Sequence, residues 1–241
     1  MADETLPRRR FLLGAGLAGA TVAAGLGSPA PADAQTAVAA PAPQPAPSSE
    51  PETYLTLTAT EVAFLSAMAD TIIPADELSP SGTDCGVVTY IDRQLAGAYG
   101  AGAKMYRAGP FRRGKPEQGY QLALTPREYF AAGIVAANEW SGKTYGKAFD
   151  QLSPADRAAA LKQMEDGKAK FEHFSATAFA NRVLAVVMEG FFSDPMYGGN
   201  RNKVAWQMLG YPGLPATYAD KVDQYRNKRY VAPPRSIADF S

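Results

Sequence analysis

The residue types that most often do chemistry are scarce in this sequence: it carries one cysteine, Cys85, and one histidine, His173. A zinc or iron–sulfur site needs several thiolates or imidazoles converging on the metal, so this composition excludes both. Attachment of a c-type haem needs Cys-x-x-Cys-His, which does not occur. A Walker loop, a Gly-x-Ser-x-Gly elbow and a His-Glu-x-x-His pair are equally absent. His173 stands between Glu172 and Phe174 at the mouth of an apolar run. A general base needs a positioned partner, and none is indicated there, so a surface or packing role is the expectation. The acidic pairs Asp76-Glu77 and Glu165-Asp166 lie in polar stretches and read as solvated turns rather than acid–base couples. No catalytic, cofactor-binding or metal-binding residue is therefore expected in this chain. Cys85 leaves two readings open, a packed thiol or a disulfide to another chain, because an odd cysteine in an oxidising compartment invites cross-chain pairing.

Two further clusters suit contact better than catalysis. Between residues 104 and 115, Lys104, Arg107, Arg112, Arg113 and Lys115 interleave with Tyr106 and Phe111. Arginine beside aromatic rings is what protein interfaces favour at their anchors, although an ordinary solvated loop has the same composition. Near the end, Asp194-Pro195, Tyr197, Gly198-Gly199 and Asn200 demand special backbone angles, and Trp206 follows. This is either a structural turn or a place where a partner is touched.

The elements that must position these residues are helical. Thr58 and Glu61 form a capping box, and Leu65, Met68 and Ile72 then share a face until Pro74 stops the helix. Asp84 is expected to cap a second helix carrying Val87, Val88, Ile91 and Leu95 inward. Residues 97–119 form a long loop with Pro110 and Pro116. Thr125, Pro126 and Glu128 open a helix to about Tyr145, and Ser153-Pro154 opens another with Leu161 and Met164 inside. Phe171 to Phe192 is apolar nearly all round and so belongs at the centre. A short helix covers Val204 to Leu209, and Trp140 and Trp206 are expected to pack. No stretch alternates like a strand. The expected fold is all-α, a single irregular helical domain with long loops.

Lysine plus arginine balance aspartate plus glutamate at 24 each, so nucleic acid is not an expected partner. Hydrophobic residues make up 46% of the chain, enough for a core. The first 34 residues are different in kind. Paired arginines, Arg8 and Arg9, precede Phe11 and Leu12, a weak Ala/Gly/Leu run follows, and Ala32-Asp33-Ala34 fits a small-residue cleavage site. This is the form of a twin-arginine (Tat) signal, the route taken by folded cargo. The apolar run is shorter than a membrane-spanning helix needs, which favours a cleaved signal over a retained anchor. Gly14-Ala15-Gly16-Leu17-Ala18-Gly19 matches the dinucleotide-binding pattern but follows no strand, so it is set aside. Residues 35–52 are rich in proline and alanine and read as an extended or disordered linker. The expected division is signal 1–34, linker 35–52 and helical domain 53–241.

The run Glu189-Gly-Phe-Phe-Ser-Asp-Pro-Met-Tyr-Gly-Gly-Asn200, followed by Trp206 and Leu209-Gly-Tyr-Pro-Gly213, resembles the C-terminal signature of the gluconate 2-dehydrogenase subunit 3 family. Ala69-Asp-Thr-Ile-Ile-Pro74 resembles that family's opening stretch. The resemblance implies a small, non-catalytic subunit of a periplasmic, inner-membrane-associated dehydrogenase acting on a sugar or sugar acid. It implies a larger glucose–methanol–choline-type subunit that holds FAD, and in some complexes a multihaem cytochrome c subunit carrying haem c. It also implies that the small subunit escorts the flavoprotein through the Tat translocase. Tyr106, Phe111, Arg112, Arg113, Asp194, Pro195, Tyr197, Gly198, Gly199, Asn200 and Trp206 are then candidates for the partner interface, and Cys85 for an intersubunit disulfide. The alternative is a free-standing periplasmic sugar-binding protein with a pocket around Tyr197 to Asn200.

Overall fold

The structure of the protein, a computed structural model, describes residues 53–112, 114–115, 118–173, 175–214 and 217–240. The expected leader with Arg8, Arg9, Phe11, Leu12, Ala32 and Ala34, the expected linker 35–52, and Arg113 of the basic loop lie outside the described residues. The described chain forms six α-helices and no strand. It is all-α, as the sequence leads one to expect.

Helix α1, Ala59–Ile72, begins at the anticipated capping box: the Thr58 amide donates to Glu61 Oε2 at 2.7 Å and the Glu61 amide to the Thr58 hydroxyl at 3.4 Å. Phe64, Leu65 and Met68 are its fully buried face. Helix α2, Val87–Ala96, departs from the expected start. Its N-cap is Gly86 with φ of 79°, and Asp84 instead accepts the Ser81 hydroxyl at 3.1 Å in the preceding loop. The reason is steric. The chain turns left-handed at residue 86, and a Cβ there would collide with the Gly198 carbonyl, so glycine occupies the cap.

Helix α3, Pro126–Tyr145, carries the second capping box, Thr125 with Glu128, and ends at left-handed Gly146. The Thr125 amide, then its hydroxyl, hold the Glu128 carboxyl below the usual glutamate range. Helix α4, Pro154–Glu165, is capped by Ser153 and buries Ala160 and Met164. Helix α5 spans Ala176–Phe192, five residues shorter than the apolar run predicts, because the Ser175 hydroxyl accepts the Ala178 amide and starts the helix there. Phe171 lies in the loop before it and still packs on the core. Helix α6, Val204–Leu209, stands where it is expected.

Helix α5 is central and touches the other five helices. Its Phe179 is the hub of the core, with the rings of Phe64, Tyr129, Phe130 and Phe171 all between 6.1 and 6.3 Å away. Burying an aromatic side chain of this kind contributes roughly 1.5–3 kcal/mol. Gly133 of α3 makes room for the hub, since a Cβ there would enter the Phe179 ring.

Two long-range ties finish the domain. Asp92, buried on α2, accepts the amides of Leu55, Thr56 and Leu57 at 2.6, 2.9 and 3.0 Å, which fixes the chain entering α1. At the other end, Gly213 pairs with Arg235 in an isolated parallel bridge, with Leu214 N–H donating to the Arg235 carbonyl at 2.8 Å. No helix among the described residues is long and apolar enough to cross a membrane.

Candidate functional site

The turn after α5 is built from side chains that join three helices. Asp194 Oδ1 accepts the Met196 amide at 3.0 Å and so caps a single 3-10 turn, Pro195–Tyr197, whose first φ is set by Pro195. Asp194 Oδ2 accepts the Ile237 amide at 2.9 Å from the C-terminal tail. Gly198 turns left-handed with φ of 102°. Gly199 lies against the Gly190 carbonyl so closely that a Cβ would overlap it. Asn200 is fully buried and itself left-handed, with φ of 46°. Its Nδ2 donates to the Ser193 carbonyl and its Oδ1 accepts the Ala205 amide, each at 2.9 Å. It thus links the end of α5 to the start of α6. The Arg201 amide donates to the Cys85 carbonyl at 3.1 Å, and the Arg93 guanidinium to the Met196 carbonyl at 3.2 Å, which tie the same turn to α2.

Trp206 turns inward. It is buried, its indole N–H donates to the Phe192 carbonyl at 2.9 Å, and its ring stands edge-on to Tyr211 at 5.2 Å. Met196 and Tyr197 turn outward, 47% and 45% exposed. The signature therefore has two faces: Gly199, Asn200 and Trp206 hold the fold, and Met196 and Tyr197 are presented to solvent.

This turn closes a stretch whose sequence is matched as a whole. The sequence model of gluconate 2-dehydrogenase subunit 3 covers residues 59–213, from the first residue of α1 to the glycine that meets Arg235. The chain belongs to the gluconate 2-dehydrogenase subunit 3 family. No curated protein and no solved structure matches it. Family membership makes it, in general terms, the small subunit of a dehydrogenase that works as a multi-subunit complex.

The remaining candidates fall in separate places. Tyr106 is 76% exposed, with its hydroxyl donating to the Gly109 carbonyl at 3.2 Å, and Phe111 and Arg112 are exposed in the same loop. Cys85 is buried, its thiol directed at the Pro80 carbonyl 3.7 Å away, so pairing with another chain would require the loop before α2 to open. His173 is exposed and lines a groove of about 1240 Å³ along the outer side of α3, together with Val135, Trp140 and Phe171. No residue of the signature turn lines that groove.

Sequence reasoning did not single out a group of polar side chains beside the signature. Arg182 of α5 donates through Nε to the Tyr99 hydroxyl at 3.0 Å and through Nη2 to the same oxygen, with its guanidinium carbon 5.2 Å from the Tyr99 ring centre. Burial works against its charge, but the Tyr99 hydrogen bond wins and the guanidinium is held above its ordinary range. Nearby, Tyr120 and Tyr129 stack at 4.0 Å and 3°. Burial pushes both phenols up to about 12, aided by Tyr99 for Tyr120 and by Tyr120 for Tyr129. An arginine in the middle of an otherwise apolar helix was the available signal.

Proposed function

We propose that this chain is the non-catalytic small subunit of an FAD-dependent sugar or sugar-acid dehydrogenase, and that it stabilises and exports the flavoprotein subunit. It binds a folded, FAD-loaded glucose–methanol–choline-type subunit in the cytoplasm. The twin-arginine leader, with Arg8 and Arg9, takes both chains through the Tat translocase to the periplasm, where the complex associates with the inner membrane through its partners. A multihaem cytochrome c subunit, carrying haem c, receives the electrons. The chain itself supplies surface and rigidity rather than a reacting group.

The observation that carries this reading is the family match, which runs through all six helices, from the first residue of α1 to Gly213. The paired arginines of the leader and the half-exposed Met196 and Tyr197 on a rigid turn support it. The test is purification of the tagged chain from the periplasm, followed by an intact-mass scan and a flavin spectrum. A much larger chain bearing FAD is the expected companion. A lone, colourless chain that binds a sugar would replace this reading with that of a free-standing binding protein.

A further inference from the structure

The polar group around Arg182 and the outward half of the signature turn belong to one surface. Tyr90 lies across α5 at Gly190, its ring so close that a Cβ on Gly190 would sit 2.8 Å from it. Helix α2 and the residues after it run along α5, so that Tyr99 meets Arg182 farther up the same helix, and Glu189 and Tyr197 also lie within electrostatic reach of Tyr90. Arg93, on the next turn of α2, supports the Tyr197 end through the Met196 carbonyl. The face is thus a row of tyrosines with two arginines, set on α2, α5 and a turn made rigid by Asn200. Tyrosine and arginine are enriched where interfaces have their energetic centres, because each brings a large stiff apolar area and a polar tip.

Arg182 says what kind of group would meet this face. A guanidinium has five N–H donors. Among the described residues the hydrogen-bond partner of Arg182 is the Tyr99 hydroxyl, and no carboxylate is paired with it. Glu189, two turns on along the same helix and exposed, adds a favourable negative field at Arg182 without forming a salt bridge to it. The N–H groups that Tyr99 does not engage remain available to a carboxylate, which would accept two parallel hydrogen bonds from them. The phenols of Tyr90 and Tyr120, also near it, are raised by burial and bring no negative charge to that position.

We propose that the face running from Tyr197 across Tyr90 to Tyr99 and Arg182 is the surface on which the large flavoprotein subunit docks, with a carboxylate side chain of that subunit seated on the Arg182 guanidinium. This rests on the small-subunit reading above, and it names the part of this chain that the complex uses.

The experiment takes the full chain co-produced with the large chain that co-purifies with it. Arg182→Glu and Arg182→Gln are compared with wild type by titration of the purified flavoprotein subunit at low and high salt, with circular dichroism and Tm confirming the fold. Losing a desolvated charge pair at an interface weakens binding by roughly 30-fold or more. That loss is expected for the glutamate variant, and a smaller loss with a flattened salt dependence for the glutamine variant. In parallel, p-benzoylphenylalanine replaces Tyr197, or Val135 in the α3 groove, within the otherwise native complex. Crosslinking to the large chain from position 197 and not from position 135 is the expected result, and it stands even if an Arg182 variant does not fold. If the wild-type complex forms and neither the affinity nor the crosslink obeys this pattern, the docking surface is wrong and the small-subunit reading survives. If the wild-type chain retains no large chain at all, both fall together.

Discussion

At the level of single residues, the signature turn depends on Asn200. It is left-handed, fully buried, and satisfies one carbonyl and one amide through its two side-chain atoms. Asn200→Ala leaves both of those backbone groups without a partner in a place water does not reach, and it puts alanine in a conformation asparagine tolerates better. The expected cost is about 3 kcal/mol, read as a lower urea midpoint at unchanged m-value. The stacked pair Tyr120 and Tyr129 gives a second expectation at this scale. Both phenols are raised to about 12, so in the native protein these two tyrosines should stay protonated well above pH 10. Ultraviolet difference titration at 295 nm checks this. In the unfolded chain they ionise near 10, so the stabilisation is fully present below pH 10 and is lost as the pH rises from there towards 12. A tyrosine spectrum that titrates in one step near pH 10, with the fold intact, would contradict the packing described.

Among elements, the contact between α3 and α5 is set by the absence of a side chain at Gly133. Gly133→Ala drives a methyl group into the Phe179 ring at the hub, and overpacking of this kind costs about 1–3 kcal/mol. Thermal unfolding is the measurement, and the double variant Gly133→Ala with Phe179→Leu should recover part of the loss. The tail is fastened differently. Lys203 first, and the Ser236 amide second, hold the Asp239 carboxyl below the ordinary aspartate range. A depressed carboxylate contributes above its unfolded pKa and ceases to contribute as the pH falls through its folded value. The turn Ile237–Phe240 is therefore expected to loosen in acid before the core does, and faster exchange of the Ser236 amide below the usual aspartate range would show it. Asp239→Asn should abolish that acid response. The elements themselves were largely legible in the sequence, because Thr58 with Glu61, Thr125 with Glu128, and Ser153 with Pro154 announce helix starts within a few residues. Gly86 was not legible as the cap of α2, because its conformation is imposed by the Gly198 carbonyl more than a hundred residues away. The same holds for Asp92, which looks like a polar accident on an apolar face until the amides of residues 55–57 arrive. Within the candidate site, the turn-forming role of Asp194 to Asn200 could be read from residue types. That Trp206 packs could be read too, but not that its indole meets the Phe192 carbonyl, nor that Arg182 partners Tyr99, since both contacts are tertiary.

For the whole molecule, the family match makes the chain one subunit of a multi-subunit dehydrogenase. Purified alone after removal of its companion, it should show no flavin absorbance near 450 nm. Replacing Arg8 and Arg9 by lysine should leave both chains in the cytoplasm, whereas a leader supplied directly to the large chain should restore its export but not its stability. Cell fractionation with activity measured in each fraction separates these outcomes. Normal periplasmic flavoprotein activity in cells lacking this chain would remove the escort role.

The clasp at Asp92 has a mechanical meaning. Whatever tension reaches the domain from the residues before 53 is delivered at Leu55 to Leu57, ahead of the first turn of α1. It passes through one carboxylate into the middle of α2, a helix packed against α1, α3 and α5. A pull on the chain ahead of α1 would in this way be carried to α2 as well as to the first turn of α1.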